Sequence, residues 1–289
     1  MNPWLLSLAC LGLLFPVTSG AEVQNGISEA TSTSELPFKL TSGYLIQVEG
    51  RIGTQTNLKF ILDTGATVSI VDPKIADKFK LDRRPAQSFN FDRKLKWESA
   101  TLPDLQFGPV HATNVIIFVG RLAEYSEFAR NADAVIGMDL LRFSNLGIDF
   151  ESRKITFHPS VQRVSSDVSG DPLLQCPVLE VQVQGHPIRL IVDTGLSGLV
   201  LYEQRLRKQV LGLRTAGHVV DVTMGGRVHA KQVVLPDVLV GKTNRDIPVL
   251  LVPSPAADML PGIEGIIGVT LLQAHRVYFD FPSRNVRWD

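Results

Sequence analysis

Two short segments carry the residue types that acid–base chemistry needs. Leu58 to Thr67 reads LKFILDTGAT, and Ile188 to Ser197 reads IRLIVDTGLS. In each, an Asp (Asp63 or Asp193) directly follows an apolar run of the kind that forms a buried strand, and Thr-Gly comes next. A carboxylate at a strand end is held on a rigid element. Gly65 and Gly195 then let the chain turn sharply and approach another backbone. One such Asp is a modest signal, because Asp and Gly are common in turns. Two suggest a specific chemistry if they meet. Carboxylates within ~3 Å of each other do not both ionise easily, so they share a proton. One acts as general base on a water while the other, protonated, polarises a carbonyl.

The spacing of further blocks argues that the two do meet. Asp193 lies 193 − 63 = 130 residues after Asp63. Ala134 to Leu141 (AVIGMDLL) is answered by Gly265 to Leu272 (GIIGVTLL), with 268 − 137 = 131 between the shared Gly137 and Gly268. Ile148-Asp149-Phe150 and Phe279-Asp280-Phe281 keep 131, as do Ser152-Arg153 and Ser283-Arg284. Leu102-Pro103-Asp104-Leu105 matches Leu235-Pro236-Asp237-Val238 at an offset of 133. Five blocks in one order at nearly one spacing read as an internal duplication of a unit of about 130 residues. Two such units packed about a pseudo-twofold axis bring both Asp-Thr-Gly turns onto that axis.

The elements that must position them are mostly strands. Tyr44 to Val48 and Leu179 to Val183 alternate apolar and polar residues, as half-buried strands do. Phe60 to Leu62, Leu190 to Val192, Val115 to Val119 and Val249 to Val252 are apolar runs suited to strands buried on both faces. Helices are short and few. Asp72-Pro73 is a cap and first turn for one running to about Lys80. Tyr202 to Leu211 is its expected counterpart, and Arg121 to Arg130 a third.

Asp63-Thr64-Gly65 with Ile136-Gly137, repeated as Asp193-Thr194-Gly195 with Ile267-Gly268, resembles the aspartic proteases. The wording DTGA and the short units are most similar to the retropepsin-like branch, here fused into one chain and running from Lys39 to Asp289. The proton-sharing pair is a property of that family. The resemblance implies an all-β fold with few short helices, built of two homologous closed β-barrel lobes related by pseudo-twofold symmetry. It implies peptide-bond hydrolysis without a metal or cofactor. By motif match Asp63 and Asp193 are the catalytic pair. Thr64 and Thr194 would hydrogen-bond across the lobe interface, and Ile136-Gly137 and Ile267-Gly268 would pack beneath the loops. The residue after the motif often carries a hydroxyl in pepsin-like relatives; here it is Ala66 or Leu196. Fewer hydrogen bonds to the ionised form leave the pair less acidic, so the expected pH optimum is milder than that of gastric-type enzymes. Hairpins closing over substrate are expected at Ser88 to Thr101 and at His218 to Ala230. Trp97 and the turn Gly225-Gly226 are the candidate substrate-binding residues, with packing of Trp97 on its own sheet as the alternative. A second function class also fits: a non-catalytic peptide-binding module that keeps the bilobed cleft.

Composition is consistent with this. Lys+Arg and Asp+Glu both number 29, so the formal net charge is zero, and hydrophobic residues make up 44% of 289. That excludes a disordered chain and argues against a nucleic-acid partner. Pro3 to Val17 is an uncharged, mostly apolar run followed by Ser19 and Ala21, the pattern of a cleaved secretory signal over 1–21. The expected layout is signal 1–21, flexible leader 22–37, lobe 38–164, linker 165–172 and lobe 173–289. The expected location is secreted or periplasmic, with no membrane association after cleavage. Cys176 would then be alone, so no internal disulfide is expected. The six His residues have no paired ligand spacing, so no metal is expected. The expected partner is a peptide or protein substrate. A monomer suffices, because both carboxylates come from one chain.

Overall fold

The apolar runs become paired strands. The computed structural model describes residues 26–28, 33–90, 93–125, 129–158, 176–206, 215–223, 226–253 and 260–289. The segment 1–21 and the expected linker 165–172 lie outside these residues.

The first unit contains, in order, β1 (Gly26–Ser28), β2 (Ser34–Pro37), β3 (Lys39–Thr41), β4 (Leu45–Ile52), β5 (Gln55–Leu62), β6 (Ile70–Val71), α1 (Pro73–Lys78), β7 (Arg84–Asn90), β8 (Arg93–Phe107), β9 (Val110–Val119), α2 (Leu122–Tyr125), β10 (Ala134–Ile136), α3 (Met138–Leu141), β11 (Asn145–Asp149) and β12 (Lys154–His158). The second contains β13 (Val178–Val183), β14 (His186–Asp193), β15 (Leu199–Tyr202), β16 (Thr215–Thr223), β17 (Gly226–Val240), β18 (Thr243–Val252), β19 (Gly265–Gly268), β20 (Arg276–Asp280) and β21 (Asn285–Trp288).

Pairing closes each unit on itself. In the first, the circuit β4-β5-β10-β6-β9-β8 returns to β4 through Gly50↔Phe107 and Ile52↔Leu105. In the second, β13-β14-β19-β15-β18-β17 returns to β13 through Gln182↔Leu239 and Val183↔Val238. The same six-strand circuit therefore appears twice, and closure removes the exposed edges that an open sheet would leave. Each barrel is filled by inward side chains, including Phe60, Leu62, Leu102 and Ile117 in the first and Leu190, Val192, Leu235 and Val249 in the second, all essentially inaccessible. Truncating such a residue to Ala costs roughly 2–5 kcal/mol.

A third sheet, β2-β12-β11-β20-β21, joins the two barrels. Its central pair, β11 and β20, comes one strand from each unit. Leu146 faces Phe279 and Ile148 faces Val277. Since 146 + 131 = 277 and 148 + 131 = 279, exchanging the two units leaves this register unchanged. All four side chains are buried, and they form part of one apolar cluster that runs through both barrels.

Two expectations need correction. The segment 22–37, expected to be a flexible leader, contains strands: β1 pairs with β9, and β2 pairs with β12 from Ser34↔Phe157 to Pro37↔Lys154. Leu36 packs on the core from that strand, which a short polar stretch gave little sign of. The helix expected over Tyr202 to Leu211 is absent at its start. Tyr202 ends β15, paired with Val252 of β18 and fully buried, and only a single 3₁₀ turn, Glu203–Arg205, follows. Residues 207–214 lie outside the described residues. The helix at Pro73–Lys78 begins as expected, with the Asp72 side chain accepting from Lys74 N–H at 3.1 Å. The third forms over Leu122–Tyr125, and 126–128 are outside the described residues.

Candidate active site

Both Asp-Thr-Gly segments emerge from strands locked on a parallel neighbour. β5 pairs with β10, and Asp63 N–H donates to Ile136 O at 2.9 Å. β14 pairs with β19, which sets Asp193 opposite Gly268 and Val192 opposite Ile267. Gly137 and Gly268 then run against the backs of the loops. A Cβ on Gly137 would lie 2.8 Å from Ala66 O, and one on Gly268 would overlap Leu196 O. Only glycine permits these approaches.

The two loops meet through their threonines. Thr64 N–H donates to Thr194 Oγ1 at 3.0 Å, and Thr194 N–H donates to Thr64 Oγ1 at 3.1 Å. The hydroxyls donate onward, Thr64 Oγ1 to Val192 O and Thr194 Oγ1 to Leu62 O, each at 2.8 Å. Each threonine is thus donor and acceptor across the join. All four bonds are buried, where leaving one partner unmade costs about 1–3 kcal/mol.

This lattice brings the Asp63 and Asp193 carboxyl groups into contact, both buried. Gly65 sits against the Asp193 carboxyl so closely that a Cβ there would overlap it. The surroundings are unequal. Asp63 Oδ1 accepts from Gly65 N–H at 2.9 Å and Ala66 N–H at 3.1 Å. Asp193 Oδ1 accepts from Gly195 N–H at 2.6 Å, while its buried Oδ2 meets no donor with good geometry. Burial raises the pKa of Asp63, opposed by a hydrogen bond from Asp193 and by the two backbone N–H groups. Burial also raises Asp193, and the neighbouring charge of Asp63 adds to it, so Asp193 is held well above the usual carboxylate range.

Behind the first loop lies a polar group that motif reasoning did not assign. Ser69 N–H and Ser69 Oγ donate to the two carboxylate oxygens of Asp139, at 2.9 and 2.8 Å. Gly137 N–H donates to Ser69 Oγ at 3.0 Å. Burial raises the Asp139 pKa to about 6 against these bonds and the attraction of Arg142. The signal was present in the sequence: Asp139 and Ser69 stand where the second unit has Thr270 and Leu199.

The candidate substrate-binding residues divide. Hairpins β7–β8 and β16–β17 occupy the two expected positions. Trp97 on β8 stacks on Phe118, centroids 5.5 Å apart, and donates from Nε1 to Ser88 Oγ at 2.6 Å. It joins a small apolar cluster that includes Ala66 and Ile70, so it packs on its own lobe beside the Asp63 loop. Gly225 lies outside the described residues, and Gly226 opens β17 opposite Thr223.

Comparison with known proteins finds an aspartyl-protease family model in each barrel. A family model described as "Aspartyl protease" matches residues 179–271. One described as "gag-polyprotein putative aspartyl protease" matches residues 48–143. Each match contains one Asp-Thr-Gly segment. Among solved structures, a retropepsin-like aspartic protease from Rickettsia conorii is 16% identical, with a TM-score of 0.33, covering 46% of this chain and 92% of its own. An aspartic proteinase from Irpex lacteus is 13% identical, with a TM-score of 0.49, covering 88% and 96%. Basic 7S globulin from soybean is 11% identical, with a TM-score of 0.45, covering 89% and 94%. No curated protein matches the chain.

Proposed function

Because the chain belongs to the aspartic proteases of the retropepsin and pepsin family, we propose that it is an endopeptidase whose reacting groups are Asp63 and Asp193 at the join of the two barrels. The observation that carries this reading is the contact of the two buried carboxyl groups, both raised above the usual carboxylate range and Asp193 well above it, and we infer that the shared proton rests on Asp193. Ionised Asp63 takes a proton from a water as its oxygen attacks the peptide carbon. Asp193 gives its proton to the carbonyl oxygen, forming a neutral tetrahedral diol. Collapse of the diol returns one hydroxyl proton to Asp193 and delivers the Asp63 proton to the leaving nitrogen. The pair ends with the single proton it began with.

The unequal surroundings support the division of roles. Backbone N–H groups favour the charged form of each carboxyl, but the neighbouring charge of Asp63 and the hydrogen bond between the two raise Asp193 further, which favours its protonated form. Ala66 and Leu196 supply no hydroxyl to either carboxylate, so the pH–rate profile should peak above about pH 3; a peak below that overturns this part of the reading. Both carboxyl groups belong to one chain, which supports action as a monomer. The repeated six-strand circuit supports origin by duplication. The uncharged run from Pro3 to Val17 supports export.

Cleavage of an unfolded protein at several pH values tests the proposal. Asp63→Asn and Asp193→Asn should each lower the rate by ~10³-fold or more, as loss of a member of a catalytic unit does. Equal cleavage by the wild type and both variants overturns the paired mechanism. Saturable peptide binding without cleavage in the wild type identifies a peptide-binding module instead.

A further inference from the structure

The Ser69–Asp139 group has no part in the proton transfers above, yet it is wired to the carboxylate that begins them. Asp139 lies in the first turn of α3 and uses both oxygens on one residue, Ser69. Ser69 Oγ accepts the Gly137 N–H. The next N–H, of Met138, donates to Ala66 O at 2.8 Å. Ala66 N–H in turn donates to Asp63 Oδ1 at 3.1 Å. No slack exists along this path, since Gly137 lies too close to Ala66 O and Val68 to admit a Cβ. The second loop is fastened differently: Gly268 N–H, the counterpart of Gly137 N–H, donates to the backbone carbonyl Gly198 O at 2.7 Å rather than to a side chain. Leu199 and Thr270 stand at the corresponding positions, and Thr270 Oγ1 donates to Ser197 O at 2.8 Å.

We propose that Ser69 and Asp139 are a positioning pair, which acts through Gly137 and Met138 to hold Ala66 where its N–H reaches Asp63. The proposal rests on the reading of Asp63 as a reacting carboxylate. Both oxygens of Asp139 accept from Ser69, an arrangement that the ionised carboxylate makes with both bonds in the directions seen. A proton on either oxygen opposes one of the two Ser69 bonds and forces it to break or invert. The groups around Asp139 leave that event to Asp139 itself. Ser69 on the facing loop offers only neutral donors, and the charged influence comes from Arg142 at the end of the same helix. With a pKa of about 6, Asp139 changes charge within the range in which the enzyme is expected to work.

The test is kcat and KM for peptide cleavage by the full chain between about pH 3 and pH 8, for wild type, Ser69→Ala, Ser69→Thr, Asp139→Asn and Asp63→Asn. Ser69→Ala should lower kcat about tenfold with KM changed less than about twofold, the mark of a misplaced reacting group rather than lost binding. Ser69→Thr keeps the hydroxyl and should recover most of kcat. Asp139→Asn should remove an ionisation near pH 6 from the kcat profile while the limbs of the carboxylate pair remain. Profiles of Asp139→Asn and wild type that superimpose, in an enzyme abolished by Asp63→Asn, overturn the positioning role alone. Cleavage that survives Asp63→Asn overturns the reading of Asp63 and this proposal with it.

Discussion

The two carboxylate loops present the same three residues to each other, and each is fastened to its own barrel by different means. Behind Asp63 the fastening is polar, with Ser69 held at both ends by Asp139. Behind Asp193 it is largely apolar. Leu199 and Leu196 are buried in the main core, and one hydroxyl bond from Thr270 to Ser197 O completes it. Ala66, the counterpart of Leu196, belongs instead to the small separate cluster with Phe118 and Trp97. The same three-residue join can therefore be held through directional side-chain bonds or through packing. The two solutions respond differently to mutation and to pH. An apolar fastening is indifferent to protons, while one built on a carboxylate is not.

The glycines beneath the loops offer the strongest way to break the comparison. Gly268→Ala drives a Cβ into the Leu196 carbonyl and should cost about 3 kcal/mol or more, or prevent folding. Gly137→Ala meets Ala66 O at 2.8 Å, a milder overlap, and should cost about 2 kcal/mol. Urea midpoints at constant m would rank the two, and the reverse order would contradict the geometry. The next contrast is between the fasteners themselves. Leu199→Ala removes a fully buried side chain and should cost roughly 3 kcal/mol. Ser69→Ala removes a hydrogen-bonded hydroxyl and should cost about 1–2 kcal/mol. Equal losses would show that the polar fastening carries as much stability as the packed one.

Proton linkage supplies the smallest and most specific contrast. The folded-state pKa of Asp139 is raised from 3.8 to about 6, so the protonated form is the one that folding favours. Its contribution to stability is complete below about pH 4 and is lost as pH rises through about 6. Asp139→Asn cannot ionise, and should lose about 2 kcal/mol less than wild type between pH 4 and pH 7. Asp63 and Asp193 are also raised, so both proteins should still weaken over that interval. Denaturation curves at several pH values measure the difference, and parallel pH dependence in the two proteins would mean that Asp139 titrates normally.

Much of the site was legible in the sequence because duplication turns weak motifs into paired ones. Asp63, Thr64, Gly137 and their counterparts stood out by their common spacing. The long apolar runs marked the buried strands, since residues such as Phe60, Ile61 and Leu62 are covered on both faces. What escaped notice was of two kinds. Ser69 and Asp139 differ between the units, and a search for what repeats passes over what does not. Tyr202 was the expected start of a helix only because it stands where the first unit has Asp72 at the head of its helix. Its pairing on β18, far along the chain, decides the matter and leaves no local trace. Leu36 is similar, being drawn into the joining sheet by β12, over a hundred residues away in sequence. Trp97 was identified as notable by residue type alone, but its stacking on Phe118 depends on the register of β8 against β9.

The reciprocal threonine bonds and the β11–β20 register have a consequence for the chain as a covalent object. Each half meets the other through the four threonine bonds and through the β11–β20 strand edges. A single barrel released from the other would expose those groups together. The join has the chemistry of a subunit interface, and a chain cut between the two halves should behave as a heterodimer whose association depends on concentration.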